Sequence, residues 1–180
     1  MGTAGGGAPS TMDVLKPILS QYRASLRMLR AVIEACPAEL WDRADERSRF
    51  WQIGYHALFY AHFYLSRSES EFVPWEKAIP EYPFLGRLPW PPHAEPRIGE
   101  PYPTAMILEY YDWVFDRVPG WVRTADLEAP SGFDWLPFSR LELHFYNIRH
   151  VQHHAGQLIE RLHRSGIRGM DWIGMDHETA

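Results

Sequence analysis

The stretch from Ser139 to Gly166 constrains this chain most. It contains no proline, and its ends carry opposite helix punctuation. Ser139 followed by Glu142 is a capping-box signature, which satisfies orphan N–H groups in a first helical turn. His163 and Arg164 sit near the far end, and Gly166 can take the left-handed conformation that closes a helix. The pattern therefore predicts one long helix. With His150 set at 0° and about 100° per residue, Leu141, Ile148, Val151, Ala155, Leu158, Ile159 and Leu162 fall between roughly 80° and 180°. That is a core stripe. His154 lies at about 40°, beside His150 at the stripe's edge, while His153 lies at about 300°, turned to solvent or to a supporting position.

Two histidines at i and i+4 are a pair, and a catalytic zinc site takes three protein ligands plus an open position. His56 is the third candidate. It sits in Ser48–Leu65, where Ile53, His56, Phe59, Tyr60 and Phe63 share one face at helical spacing. An imidazole embedded among rings needs partners for its nitrogens. A metal shared with His150 and His154 supplies one; the competing reading is three hydrogen-bonded core histidines. Asn147 and Gln157 flank the pair at −3 and +3. They either orient ligands and touch a substrate, as Tyr60 does in the same reading, or simply pack the helix. His62, His93, His144, His163 and His177 read as surface or structural residues. Val151 follows His150 where a zinc peptidase would carry its glutamate base, so that chemistry is not supported.

Elsewhere the chain reads as helices and one unusual connection. A first helix runs from near Asp13 to about Ala35, with Leu15, Ile18, Tyr22, Leu26, Leu29 and Ile33 as its stripe. Cys36 and Pro37 end it, and Leu40 and Trp41 tuck back from a short turn. The second helix spans about Ser48 to Leu65. Residues 66–103 then hold nine of the chain's 15 prolines, which no regular helix survives, together with Phe72, Trp75, Tyr82, Phe84, Leu85, Leu88 and Trp90. That segment is either a crossover packed on the bundle or an aromatic lid over the site. Thr104 opens a third helix, which Pro119-Gly120 is expected to interrupt, with a further short helix over Trp121 to Leu127. The tail from Arg168 is irregular, with Trp172 as its anchor. The expected fold is all-α: a four-helix bundle over residues 12–173, with a disordered N-terminus over 1–11, a long Pro/aromatic-rich crossover between helices 2 and 3, and a tail over 174–180.

Composition narrows the function. The formal net charge is −5 and no Lys/Arg run forms a phosphate-tracking patch, so no nucleic-acid binding is expected. Cys36 is the only cysteine, which excludes an internal disulfide and reads as a small buried residue. No apolar run reaches membrane-spanning length, and the N-terminus lacks the layout of a signal peptide and the myristoylation pattern, so the expected location is cytoplasmic with no membrane association.

The run Arg149, His150, Val151, Gln152, His153, His154, Ala155, Gly156, Gln157, with His56 upstream, resembles the DinB-like superfamily of four-helix-bundle metalloproteins. Members show an N/R-H-x-x-H-H-x-G-Q run at this place. The segment Leu141–His150 and Trp172 share the likeness, which covers residues 12–173. The resemblance implies a divalent metal, nickel or zinc, held by His56, His150 and His154. It also implies a homodimer and a small-molecule substrate, with a low-molecular-weight thiol as the partner of a transferase or isomerase; a hydrolase, in which the metal activates water, is the variant. Against an enzyme of that kind stand a non-catalytic bundle stapled by a structural metal and a dimeric binder of apolar ligands. The long insert at 66–103 departs from the family pattern.

Overall fold

The computed structural model describes residues 13–44 and 47–176, and they are helical and without named strands. The elements are α1 (Leu15–Ala35), α2 (Ala38–Trp41), α3 (Phe50–Leu65), α4 (Thr104–Arg123) and α5 (Arg140–Arg164). The four long helices form the bundle. α1 and α3 each pack against both α4 and α5, which places α4 and α5 at opposite corners. The expected N-terminal disorder over 1–11 and His177 lie outside the described residues.

Each helix forms where its apolar spacing lets it bury a stripe. On α1, Tyr22, Leu26, Leu29 and Ile33 are fully buried, and each such aliphatic contributes about 1.5–3 kcal/mol. Pro17 is accommodated because it sits in the first turn, where its missing N–H costs nothing. α5 carries both predicted caps: Ser139 Oγ accepts from the Glu142 N–H at 3.2 Å, and Gly166 has φ +84°. The N–H groups of Gly166 and Ile167 bond to the carbonyls of His163 and Leu162, a Schellman closure.

Two expectations are corrected. Pro119-Gly120 does not interrupt the third helix; α4 runs through it to Arg123, and the segment after it is turn rather than helix. An internal proline costs about 3 kcal/mol, yet Val114, Val118 and Val122 are all buried on one stripe. Stopping at Pro119 would expose Val122, so packing outweighs the lost bond. Trp172 is not the anchor of the tail: it is 70% exposed. The tail is held instead by Ile167, Met170 and Ile173, which pack against the core, and by polar contacts to α1. Arg27 Nε lies 2.6 Å from Asp176 Oδ2, the Asp176 N–H donates to Ser20 Oγ at 3.1 Å, and Gln21 Nε2 donates to the Gly174 carbonyl at 3.0 Å.

The proline-rich crossover packs on the bundle over part of its length. Trp75, Tyr82, Leu88 and Tyr102 are buried. Trp75 stacks on Tyr110 of α4 at 4.6 Å, and Tyr82 meets Trp51 of α3 at 5.3 Å. Its backbone is satisfied piecemeal: the Tyr102 hydroxyl accepts from the Ile79 N–H and donates to the Lys77 carbonyl. Trp41 Nε1 donates to the Tyr102 carbonyl at 2.7 Å, which ties the short α2 to the same segment.

Candidate metal site

His56 from α3 and His150 and His154 from α5 meet where these two helices pack. Their ligand atoms all lie within 4.8 Å of one another. His150 Nε2 lies 3.1 Å from His56 Nε2 and 3.2 Å from His154 Nε2. Nitrogens around a tetrahedral ion with bonds near 2.0–2.1 Å stand about 3.3 Å apart, so the spacing suits a shared cation.

Counting protons sharpens this. His56 Nδ1 donates to the Pro83 carbonyl at 2.5 Å, and His154 Nδ1 donates to Gln157 Oε1 at 3.1 Å. A neutral imidazole has one N–H, so both rings turn bare Nε2 lone pairs inward. His150 can bring at most one proton to meet them. If that proton is on Nε2, one lone pair is left facing a ring already engaged. If it is on Nδ1, three lone pairs converge, and Nδ1 is itself buried without a partner among the described residues. Protonating a ring does not resolve the deficit, because burial first, and neighbouring imidazoles second, hold His56 down to about 3 and His150 to about 2. His154 is held to about 4, also chiefly by burial. The donor set therefore fits a divalent cation: neutral imidazoles, convergent lone pairs and two rings locked by outer acceptors.

The neighbourhood is aromatic. The Tyr60 ring lies 4.7 Å from the His56 ring and 5.5 Å from that of His150, and Tyr64 lies 6.4 Å from His150. Burial pushes the Tyr60 hydroxyl up to about 12, so it stays a neutral donor. His56 and His150 remain partly exposed, which leaves the cluster reachable.

The other singled-out residues divide. Gln157 orients His154. Asn147 does not reach the cluster through a hydrogen bond; it is fully buried, and its Nδ2 donates to the Ala61 carbonyl at 3.0 Å, tying α5 to α3. His153 is exposed. Pro83 was not legible as a site residue, because the group it supplies is a backbone carbonyl brought in by the crossover. His62 and His144 are structural and deeply buried: His62 Nδ1 pairs with the Tyr110 hydroxyl at 3.0 Å and His144 Nδ1 with that of Tyr22 at 3.1 Å. Cys36 is half-buried, and burial pushes its thiol up to about 12, which leaves it inert.

Among the described residues, no helix is long and apolar enough to cross a membrane. No curated protein and no solved structure matches the chain. A family model of the DinB superfamily matches residues 21–158, a span that includes α3, α4 and all three clustered histidines. An all-helical bundle with this histidine cluster, matched over most of its length, belongs to the DinB superfamily.

Proposed function

We propose that this protein is a metal-dependent enzyme acting on a small molecule, with a divalent ion held by Nε2 of His56, His150 and His154. The observation that carries the reading is the convergence of three Nε2 atoms that share at most one proton. Imidazole donors suit zinc and nickel. Such an ion supplies Lewis acidity and lowers the pKa of a thiol or water bound to it. The reaction class we favour is transfer from a low-molecular-weight thiol to an electrophilic carbon, in a cytoplasmic homodimer, as the superfamily resemblance implies.

The chain's own residues have definite tasks in this scheme. The Pro83 carbonyl and Gln157 hold two ligand rings in the tautomer that presents Nε2 inward. Tyr60, kept neutral by burial, offers a hydroxyl donor beside the cluster to a developing negative charge on the substrate. The rings of Tyr60 and Tyr64 exclude water from one side and give an apolar substrate a wall to lie against.

The test is metal content per chain by elemental analysis, on protein purified without a histidine tag. The reading expects about one equivalent in the parent protein and almost none in His56→Ala. No metal after reconstitution with zinc or nickel would sink it. A structural metal stapling α3 to α5 is the second reading, favoured by the site's placement across that packing face. Cobalt-substituted protein separates the two: added thiol shifts the visible spectrum of an open site and leaves a closed one unchanged.

A further inference from the structure

A cavity of about 850 Å³ opens at the end of the bundle where α3 and α4 finish and α5 begins. None of the three clustered histidines lines it. His62, on its wall, stands six residues beyond His56, about 9 Å along the helix and about 240° around it. The cavity's aromatic side is built from Trp75, Trp113 and Trp121, with the His62 ring stacked on Trp121 at 5.2 Å and edge-on to Trp113 at 4.8 Å. Fixed rings of this kind present flat apolar area at little entropic cost.

Two polar groups on the same cavity are left unbalanced. The first is His144, which is 1% exposed. Its Nδ1 lies 3.1 Å from the buried Tyr22 hydroxyl; with that hydroxyl as the donor, the ring's one proton sits on Nε2. That Nε2 is buried and has no partner among the described residues. The second is Arg140, which is 7% exposed. Its guanidinium donates to the carbonyls of Tyr64, Ser66 and Arg67, and no carboxylate pairs with it among the described residues. An unpaired buried cation and an unsatisfied buried N–H are each costly by themselves. Both residues line one cavity, and together they ask for one negative charge.

We propose that this cavity binds a small planar monoanion, an aryl or heteroaryl carboxylate. Its carboxylate accepts from His144 Nε2–H in the field of Arg140, and its ring lies against Trp75, Trp113 and Trp121. A single charge is specified rather than a phosphate dianion. The Arg140 nitrogens are already shared among three carbonyls, and the other charged side chains of the opening, Arg67 and Arg117 against Glu71, Glu76 and Asp126, leave no excess positive charge for a dianion. The assignment does not rest on the metal reading, because it uses none of that site's residues.

Titration calorimetry with indole-3-carboxylate tests it, with neutral indole as the control, on the protein as purified and again with chelator present. Saturable binding is expected, with indole about tenfold or more weaker, since a charge-assisted hydrogen bond is lost. Chelator is expected to leave the affinity unchanged. His144→Leu and Trp121→Ala are each expected to weaken binding about tenfold. Trp121 is only partly buried, so its variant remains informative if His144→Leu fails to fold. Absence of saturable binding, equal affinity for indole, or loss of binding on chelation alone, which would put the carboxylate at the histidine cluster, each overturns the proposal.

Discussion

Five of the buried or half-buried histidines among the described residues divide this protein into two regions that differ in one respect. At the α3–α5 face, His56, His150 and His154 have one another as Nε2 neighbours. Toward the other end, His62 and His144 each pair with a tyrosine hydroxyl. Burial is the leading cause of a lowered pKa in both regions, bringing His62, His144 and His154 alike to about 4. Depressed basicity therefore does not distinguish a ligand from a structural histidine here. What distinguishes them is the donor count. A tyrosine has a proton of its own to close the hydrogen bond, whereas a ring of imidazoles has more lone pairs than protons and so fits a cation.

The comparison can be broken most forcefully with acid. A histidine whose folded pKa lies below its unfolded value contributes stability that is present above the unfolded pKa and lost as pH falls toward the folded one. For His62 and His144 that window runs from 6.5 down to about 4. Each is worth on the order of 3 kcal/mol across it. Urea unfolding at several pH values should show stability falling steeply through this window. His62→Phe should lose about one proton's worth of that slope, and an unchanged slope would mean that His62 is not buried neutral.

A smaller effect sharpens the metal side. Gln157→Leu removes the acceptor that orients His154 and should weaken metal affinity about 10- to 100-fold. Competition with a chromophoric chelator reads this directly, and stability of the metal-free protein should hardly change because Gln157 is exposed. Smallest is Tyr110→Phe, which orphans His62 Nδ1 and should cost about 1–3 kcal/mol with metal content unaltered. A loss of metal in Tyr110→Phe would erase the distinction between the two regions.

The line between sequence and structure falls along specific residues. The α5 helix was legible from Ser139, Glu142 and Gly166 because caps are local chemistry, and both caps are present in the fold. The i, i+4 placement of His150 and His154 follows from helix period alone, and the choice of His56 followed from its place on an aromatic stripe. The DinB-like run from Arg149 to Gln157 carried the family, which the match over residues 21–158 bears out.

Other features waited for the fold. Whether Pro119 would end α4 depended on how much the next turn buries, and Val122 is buried only because α4 packs inside the bundle. Trp172 looked like an anchor on hydrophobicity, but the tail is held by its neighbours Met170 and Ile173 on the core and by Asp176 and its own backbone. The Pro83 carbonyl that locks His56 is a backbone atom of a segment with no period, so no side-chain pattern announces it. The tyrosine partners of His62 and His144 come from 48 and 122 residues away. Sequence by itself determined where α1, α3 and α5 form and that His150 and His154 share a face, because those follow from backbone period and local caps. Only the tertiary structure decided which imidazoles find a proton donor and which find each other, because that depends on groups far apart in the chain meeting in a dry interior.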